Sequence, residues 1–375
     1  MPEKQFDYRI RDAQATEVEP VEPEDFDIDA YFEYEAALGD CCRKFRQSDS
    51  GIAVYRRFRP PQVFSFGCKD MKLSLALQLG GLAESMKYKA DIPNFIEPWY
   101  GFGAVVSAFG PDYYWPEGQA PALRAPFKSV AEALEYEVTP IDQTAIGKRS
   151  LEMVEYFLEK TKARIPMCIT DTACGIDNAS LIIEINNYLM SFYDDPEGLK
   201  KLFDKMVDLS IDFTRKQVEM IGEPLVWPGH GFASSRYFTG LGMSGDVIMM
   251  VSPEQYAEFE APAMTKAGAP FDGAGFHSCG NWANRIEAVK KIDNLIVVDA
   301  AFSSETDPDP CPPEAFAEAF ADTGIAINAR IVGAGDVVID KIKRLYKPGV
   351  KLIVVTYCKT PAEQQYVYDR VHELA

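Results

Sequence analysis

From about residue 60 onward, the chain alternates short apolar runs with longer amphipathic stretches. Runs of strand length fall at residues 63–66, 94–98, 166–170, 224–227, 273–277, 295–299, 325–328 and 352–356. Roughly eight such runs favour a closed parallel barrel. Between them, helical periodicity predicts helices over 196–221, 253–267, 283–291, 313–321 and 361–374. Several open with proline at the first helical position or follow Ser, Asp or Thr as a cap. Glu314 and Glu318 fall in the first turns of one of them, where the helix dipole favours acids. A further helical period spans residues 31–45, and the first 30 or so residues are rich in Glu, Asp and Pro without any usable apolar period. That opening stretch reads as a flexible or surface-wrapping arm.

The expected organisation is therefore an acidic arm and helix over 1–60, followed by an α/β, TIM-type (β/α)8 barrel over 61–375. No G-x-G-x-x-G follows the first strand, which makes a nucleotide-binding open sheet the weaker alternative. Residues 99–124, rich in Gly, Pro and aromatics, read as a long loop or small subdomain over the barrel mouth.

Composition narrows the partners. The chain has 375 residues, 47% of them hydrophobic, enough for a full core. With 38 basic against 57 acidic side chains, the net charge of -19 repels nucleic acid and anionic lipid. No signal-like segment or membrane-length apolar run is present, so a cytoplasmic protein is expected, as a monomer or homodimer. Eight scattered cysteines fit reduced thiols. Histidine is scarce: only His230, His277 and His372 occur.

That scarcity gives weight to His277-Ser278-Cys279, which ends an apolar run. Residues i and i+2 of a strand point to the same side, so the imidazole and thiol can reach one ion, and zinc suits nitrogen plus sulfur. The run at 352–356 delivers Cys358 as a third ligand, and the run at 295–299 ends in Asp299, a candidate fourth. A barrel would place all four at the carboxyl ends of strands, where such enzymes do their chemistry. Three ligands and an exchangeable position describe a catalytic zinc site. With two thiolates the ion holds an incoming thiol and leaves its sulfur nucleophilic, which points to alkyl transfer to sulfur.

Other candidates surround this set. Asp171 ends the run at 166–170 and can orient substrate or accept a proton, with helix capping as the alternative. Asp246 follows the small residues of 242–245, which permit close ligand approach, and is a catalytic candidate, with a solvated loop carboxylate as the alternative. His230, in a glycine-flanked turn, is a proton carrier or a plain turn residue. Trp99 and Tyr100 can line a pocket or pack a lid, and Asn281 can position Cys279.

These residues also resemble the uroporphyrinogen decarboxylase superfamily, within it the cobamide-dependent methyltransferase branch. The resemblance spans roughly residues 60–375. It rests on His277-Ser278-Cys279-Gly280-Asn281, similar to that branch's H-x-C-G-N zinc motif, and on Cys358 followed by Thr360-Pro361-Ala362-Glu363, similar to its distal cysteine and T-P-x-E. The resemblance implies a TIM-type barrel with zinc on His277, Cys279 and Cys358, and an acid near Asp246 facing the pocket. Asp299 stands where cobalamin-independent methionine synthase carries a ligating acid. The implied reaction moves a methyl group from a methylated corrinoid, supplied by a partner corrinoid protein or as substrate, to a thiol or other small acceptor. The alternatives are a decarboxylase or lyase of the same superfamily acting on a small non-porphyrin acid, and a non-catalytic corrinoid-binding protein. An arginine-lined pocket would favour the lyase. The R-Q-A-G-R segment of true porphyrinogen decarboxylases is missing from residues 56–67, and Lys359 replaces the branch's usual glycine.

Overall fold

The computed structural model describes residues 12–116 and 119–374. Six strands form one parallel sheet: β1 (Gly51–Arg56), β4 (Leu241–Ser244), β5 (Ala274–His277), β6 (Leu295–Ala301), β7 (Ala326–Ile331) and β8 (Lys351–Thr356). Two more, β2 (Asp112–Tyr114) and β3 (Ala122–Arg124), pair as a separate antiparallel hairpin. The sheet order is β1-β8-β7-β6-β5-β4. Three short extended segments close it into a ring. Asp91 N donates to Val54 O on β1 (2.8 Å); Ile96 N donates to Pro166 O (2.9 Å) and Cys168 N to Ile96 O (3.1 Å). Met167 N then reaches Pro224 O (2.9 Å), and Gly242 N on β4 reaches Pro228 O (3.0 Å). The architecture is a TIM-type α/β barrel in which part of the ring is held by short bridges rather than long ladders.

Strand periodicity sorts the side chains into two layers. Ala53, Tyr55, Val297, Ala326, Ile353, Val355 and Tyr357 pack inside the ring. Their neighbours Val54, Val298, Ile327, Leu352 and Val354 point outward, into the larger core beneath the helices. The longest helix, Pro196–Ile221, starts as expected, with Pro196 in its first turn and the Asp195 side chain accepting from Gly198 N (3.0 Å). The last, Pro361–His372, is capped by Thr360. Among the described residues, no helix is long and apolar enough to cross a membrane.

Three strand assignments change. Residues 63–66 form a turn running into a 3-10 helix, because Pro60-Pro61 cannot donate to a ladder; Val63 and Phe64 instead pack with Cys68, Leu77 and Trp99. The first barrel strand is β1, inside the stretch expected as arm and helix, so the barrel begins before residue 61. β4 was hidden by Gly240 and Gly242, which break the apolar pattern. Residues 1–11 of the expected arm lie outside the described residues. The rest of the arm is strapped down: Thr16 N donates to Arg59 O (2.9 Å), Val21 N to Ala76 O (2.9 Å), and Asp12 pairs with Arg59. The loop at 99–124 carries the β2–β3 hairpin, where Tyr113 stacks on Tyr100 at 6.3 Å.

One aromatic cluster locks the outer core beside β5 and β6. Phe316 is fully buried with its ring 4.6 Å from Trp282 and 5.1 Å from Phe302. Phe316→Ala should cost about 3–5 kcal/mol in urea unfolding. Tyr193→Ala, at a side chain 71% exposed, should change stability by less than about 0.5 kcal/mol. Equal losses in the two variants would contradict this assignment of the core.

Candidate metal centre

A polar row crosses the inner face of β5, β6 and β7, where register aligns His277 with Asp299 and Asp299 with Asn328. His277 Nδ1 lies 2.6 Å from Asp299 Oδ2. Arg330 Nε donates to the same oxygen at 2.8 Å, and the Asn328 amide donates to Oδ1. Asn328 Oδ1 in turn accepts from Ala233 N (3.0 Å), so its orientation is fixed. Asp299 is fully buried. Burial pushes its carboxyl up, but Arg330 and His277 outweigh that and hold it below the usual range. Burial likewise opposes charge on His277, and Asp299 more than offsets it, holding the imidazole up to about 10. The ionised Asp299 accepts a hydrogen bond from Nδ1–H and leaves Nε2 as the ring atom that faces the mouth.

That atom lies 3.7 Å from Cys279 Sγ. Cys279 sits in the turn after β5, pinned where its own N–H donates to Asp246 Oδ1 (2.6 Å) and the next N–H, of Gly280, donates to Asp307 Oδ2 (2.6 Å). Asp246 is placed by Asp177, whose carboxylate accepts from the N–H groups of Asp246 and Val247, both at 2.9 Å. Burial, with the charge of Asp246 beside it, pushes Asp177 up to about 7. Among the described residues, Asp246, His277 and Cys279 bring one ligand atom each within 4.8 Å of one another. The donor set fits zinc. A tetrahedral ion with Zn–N about 2.0 Å and Zn–S about 2.3 Å needs an N···S edge of about 3.5 Å. Three donors leave a fourth position for a reactant.

This candidate donor group differs from the expected ligand set in two places. Cys358 does not join the group. Strand alternation explains why: Ile353, Val355 and Tyr357 face the lumen, which turns Cys358 outward beside Arg56 and Glu363, where burial pushes its thiol up to about 12. Tyr357 takes the mouth position and donates to Gln14 Oε1 (2.8 Å). Asp299 lies behind His277, with both oxygens engaged, and so orients the imidazole rather than offering a ligand atom. Asp246, expected as a catalytic candidate, is the third member of the group that could hold a metal. Asn281 accepts from Ala283 N (3.3 Å) and shapes the following turn instead of positioning Cys279.

Neighbouring strand ends carry a second polar group. His230 Nδ1 is 2.5 Å from Glu97 Oε2, its Nε2 is 3.7 Å from Asp171 Oδ2, and Trp99 Nε1 donates to that same oxygen at 3.1 Å. Thus Trp99, Asp171 and His230 come together, whereas Tyr100 belongs to the hairpin cluster. Buried Arg57 lies 3.9 Å from Glu97. Arg57, Arg59, Asp177, Asn328 and Arg330 had not been singled out as site residues. For the last two a signal existed: in β7 polar Asn328 and Arg330 alternate with apolar Ile327, Ala329 and Ile331, which marks a polar inward face.

Residues 100–229 match the family model of uroporphyrinogen decarboxylase. That segment includes Asp171 but ends before His230, Asp246, His277 and Cys279. A solved methyltransferase from Methanosarcina mazei is similar to this chain with a TM-score of 0.56 at 13% identity, over 81% of this chain and 86% of that one. The likeness concerns the fold. No curated protein matches the sequence.

The two cysteines should respond differently to substitution. Cys279→Ala and Asp246→Asn should lose bound metal, while Cys358→Ala should keep it and lose only about 1 kcal/mol of stability through the missing buried sulfur. Metal analysis of the purified variants decides; loss of metal from Cys358→Ala would overturn the ligand assignment. Asp299→Ala strands the buried Arg330 charge and should cost about 3–5 kcal/mol in denaturant unfolding.

Proposed function

We propose that the chain is a zinc-dependent methyltransferase that moves a methyl group from a methylated corrinoid, free or carried by a partner protein, to a thiol or similar small acceptor. The observation that carries this reading is the convergence of Asp246, His277 and Cys279 at the barrel mouth, with His277 oriented from behind by Asp299. The methyltransferase of similar fold supports it. A zinc ion held by these residues would supply Lewis acidity, which lowers the pKa of an acceptor group and keeps its sulfur nucleophilic. The chain's own part is positional. Asp299 fixes the His277 ring, Asp177 fixes the backbone at Asp246, and Asp246 and Asp307 fix the Cys279–Gly280 turn. A donor set held this firmly costs little reorganisation when the acceptor arrives.

A second reading, a lyase acting on a small carboxylic acid, draws on the buried arginines Arg57 and Arg330 and the part-buried Arg59 at the same mouth. Two of them are already paired, Arg330 with Asp299 and Arg59 with Asp12, which leaves Arg57 as the loosely held cation. Methyl transfer is the better supported of the two. Incubating the zinc-loaded protein with methylcobalamin and small thiols should change the corrinoid absorption spectrum, and Cys279→Ser should abolish the change. Carbon dioxide release from a small acid, with no spectral change, would favour the lyase.

Zinc binding should also depend on pH with a defined sign. The metal-free imidazole of His277 holds its proton up to about 10, and a ligand must be deprotonated to bind. Binding at neutral pH therefore releases that proton, and the apparent affinity should rise by about tenfold per pH unit for each proton displaced. Calorimetry in two buffers of different ionisation enthalpy reads the release directly; a binding heat independent of buffer would contradict it.

A further inference from the structure

The second polar group lies close to the first. The turn that carries His230 continues into Gly231, whose backbone has φ +83°, and a Cβ built there would stand 3.8 Å from His277 Nδ1. Glu97 accepts at His230 Nδ1 and is itself held in place through its backbone, whose N–H donates to Gln78 Oε1 (2.6 Å). Burial pushes the Glu97 carboxyl up, but His230, Arg57 and Arg59 together hold it below its ordinary range. In the neutral ring, the ionised partner at Nδ1 keeps the hydrogen there and leaves Nε2 the lone pair. Nε2 then faces Asp171 Oδ2 at 3.7 Å, too far for a hydrogen bond. In that neutral form two acceptors converge on one position, and among the described residues no side chain donates into it apart from Trp99, whose indole N–H already holds Asp171. Such a pair repels unless a group bearing hydrogen sits between its members.

We propose that His230 and Asp171 form the seat for the hydrogen-bearing end of the methyl acceptor, and that His230 Nε2 takes its proton as the methyl group is transferred. This rests on the methyltransferase reading of the neighbouring metal centre. For a thiol acceptor, the S–H bond breaks toward Nε2, giving a thiolate and an imidazolium. The thiolate electron pair then forms the new S–CH3 bond, and the corrinoid leaves with the electron pair of the bond it loses. Glu97 is a positioning residue, because it fixes the tautomer and stabilises the imidazolium without touching the acceptor. The titratable and charged groups around His230 are Glu97, Asp171, Arg57, Arg59 and the buried thiol of Cys168, and the rings of Phe64 and Trp99 flank it at 5.4 and 6.4 Å.

The test compares wild type and His230→Gln, both zinc-loaded, in methyl transfer from methylcobalamin to 2-mercaptoethanol across a pH series. We expect unchanged zinc content and a rate loss of about 100-fold at neutral pH. The loss should shrink as pH rises and the thiol ionises unaided, and added imidazole should restore part of the rate to His230→Ala. A loss equal at every pH, or none, overturns the proposal. Glu97→Gln should move the acidic limb of the wild-type pH profile to lower pH, whereas a merely structural role would leave the limb in place. A second readout needs no turnover: 2-mercaptoethanol added without methyl donor should shift the 15N resonance of His230 Nε2, and less so in Asp171→Asn. An unmoved resonance overturns the seat. If wild type methylates no thiol yet the resonance shifts, the methyltransferase reading fails while the seat stands.

Discussion

Everything at the barrel mouth depends on one buried carboxylate. Asp299 lies fully inside the ring and meets Arg330, Asn328 and His277 at once. A charge at such depth is tolerable only when its oxygens are all engaged, because the penalty for removing it from water runs to several kcal/mol. The two cations and the amide meet that condition, and in doing so they dictate the imidazole. Its Nδ1 is committed inward, so Nε2 is the atom left to meet Cys279 and Asp246. The proposed metal chemistry inherits its geometry from this interaction.

A second constraint is the period of two along each strand. It puts His277, Asp299, Asn328 and Arg330 on the lumen side and sends Cys358 to the outer layer, while Tyr357 takes the mouth. A carboxylate from the loop after β4 fills the place where a second thiolate was expected. The change makes the candidate donor set harder, with one sulfur instead of two, but keeps its charge.

Much of the fold was legible from its strongest patterns. The runs at 273–277, 295–299, 325–328 and 352–356 became β5 to β8, and Pro196, Pro313 and Pro361 opened helices because proline suits the first turn. Legibility failed where composition and geometry disagreed. Residues 63–66 are apolar enough for a strand but follow two prolines, and β4 is apolar only between glycines. In the site, His277 and Cys279 announced themselves by spacing, whereas Asp246, expected only to face the pocket, is brought beside them by Asp177 and the Cys279 N–H, which hold it from distant parts of the chain. The outward turn of Cys358 was legible in principle: counting in twos from Ile353 already assigns it to the outer face.

A metal at this mouth would be held by one sulfur, one imidazole nitrogen and one carboxylate oxygen. X-ray absorption at the zinc edge of the loaded protein reads this set directly. A single sulfur is expected at about 2.3 Å, with lighter nitrogen and oxygen neighbours at about 2.0–2.2 Å. Two sulfurs in that shell would contradict it, because the second would have to come from a cysteine that faces away from the mouth.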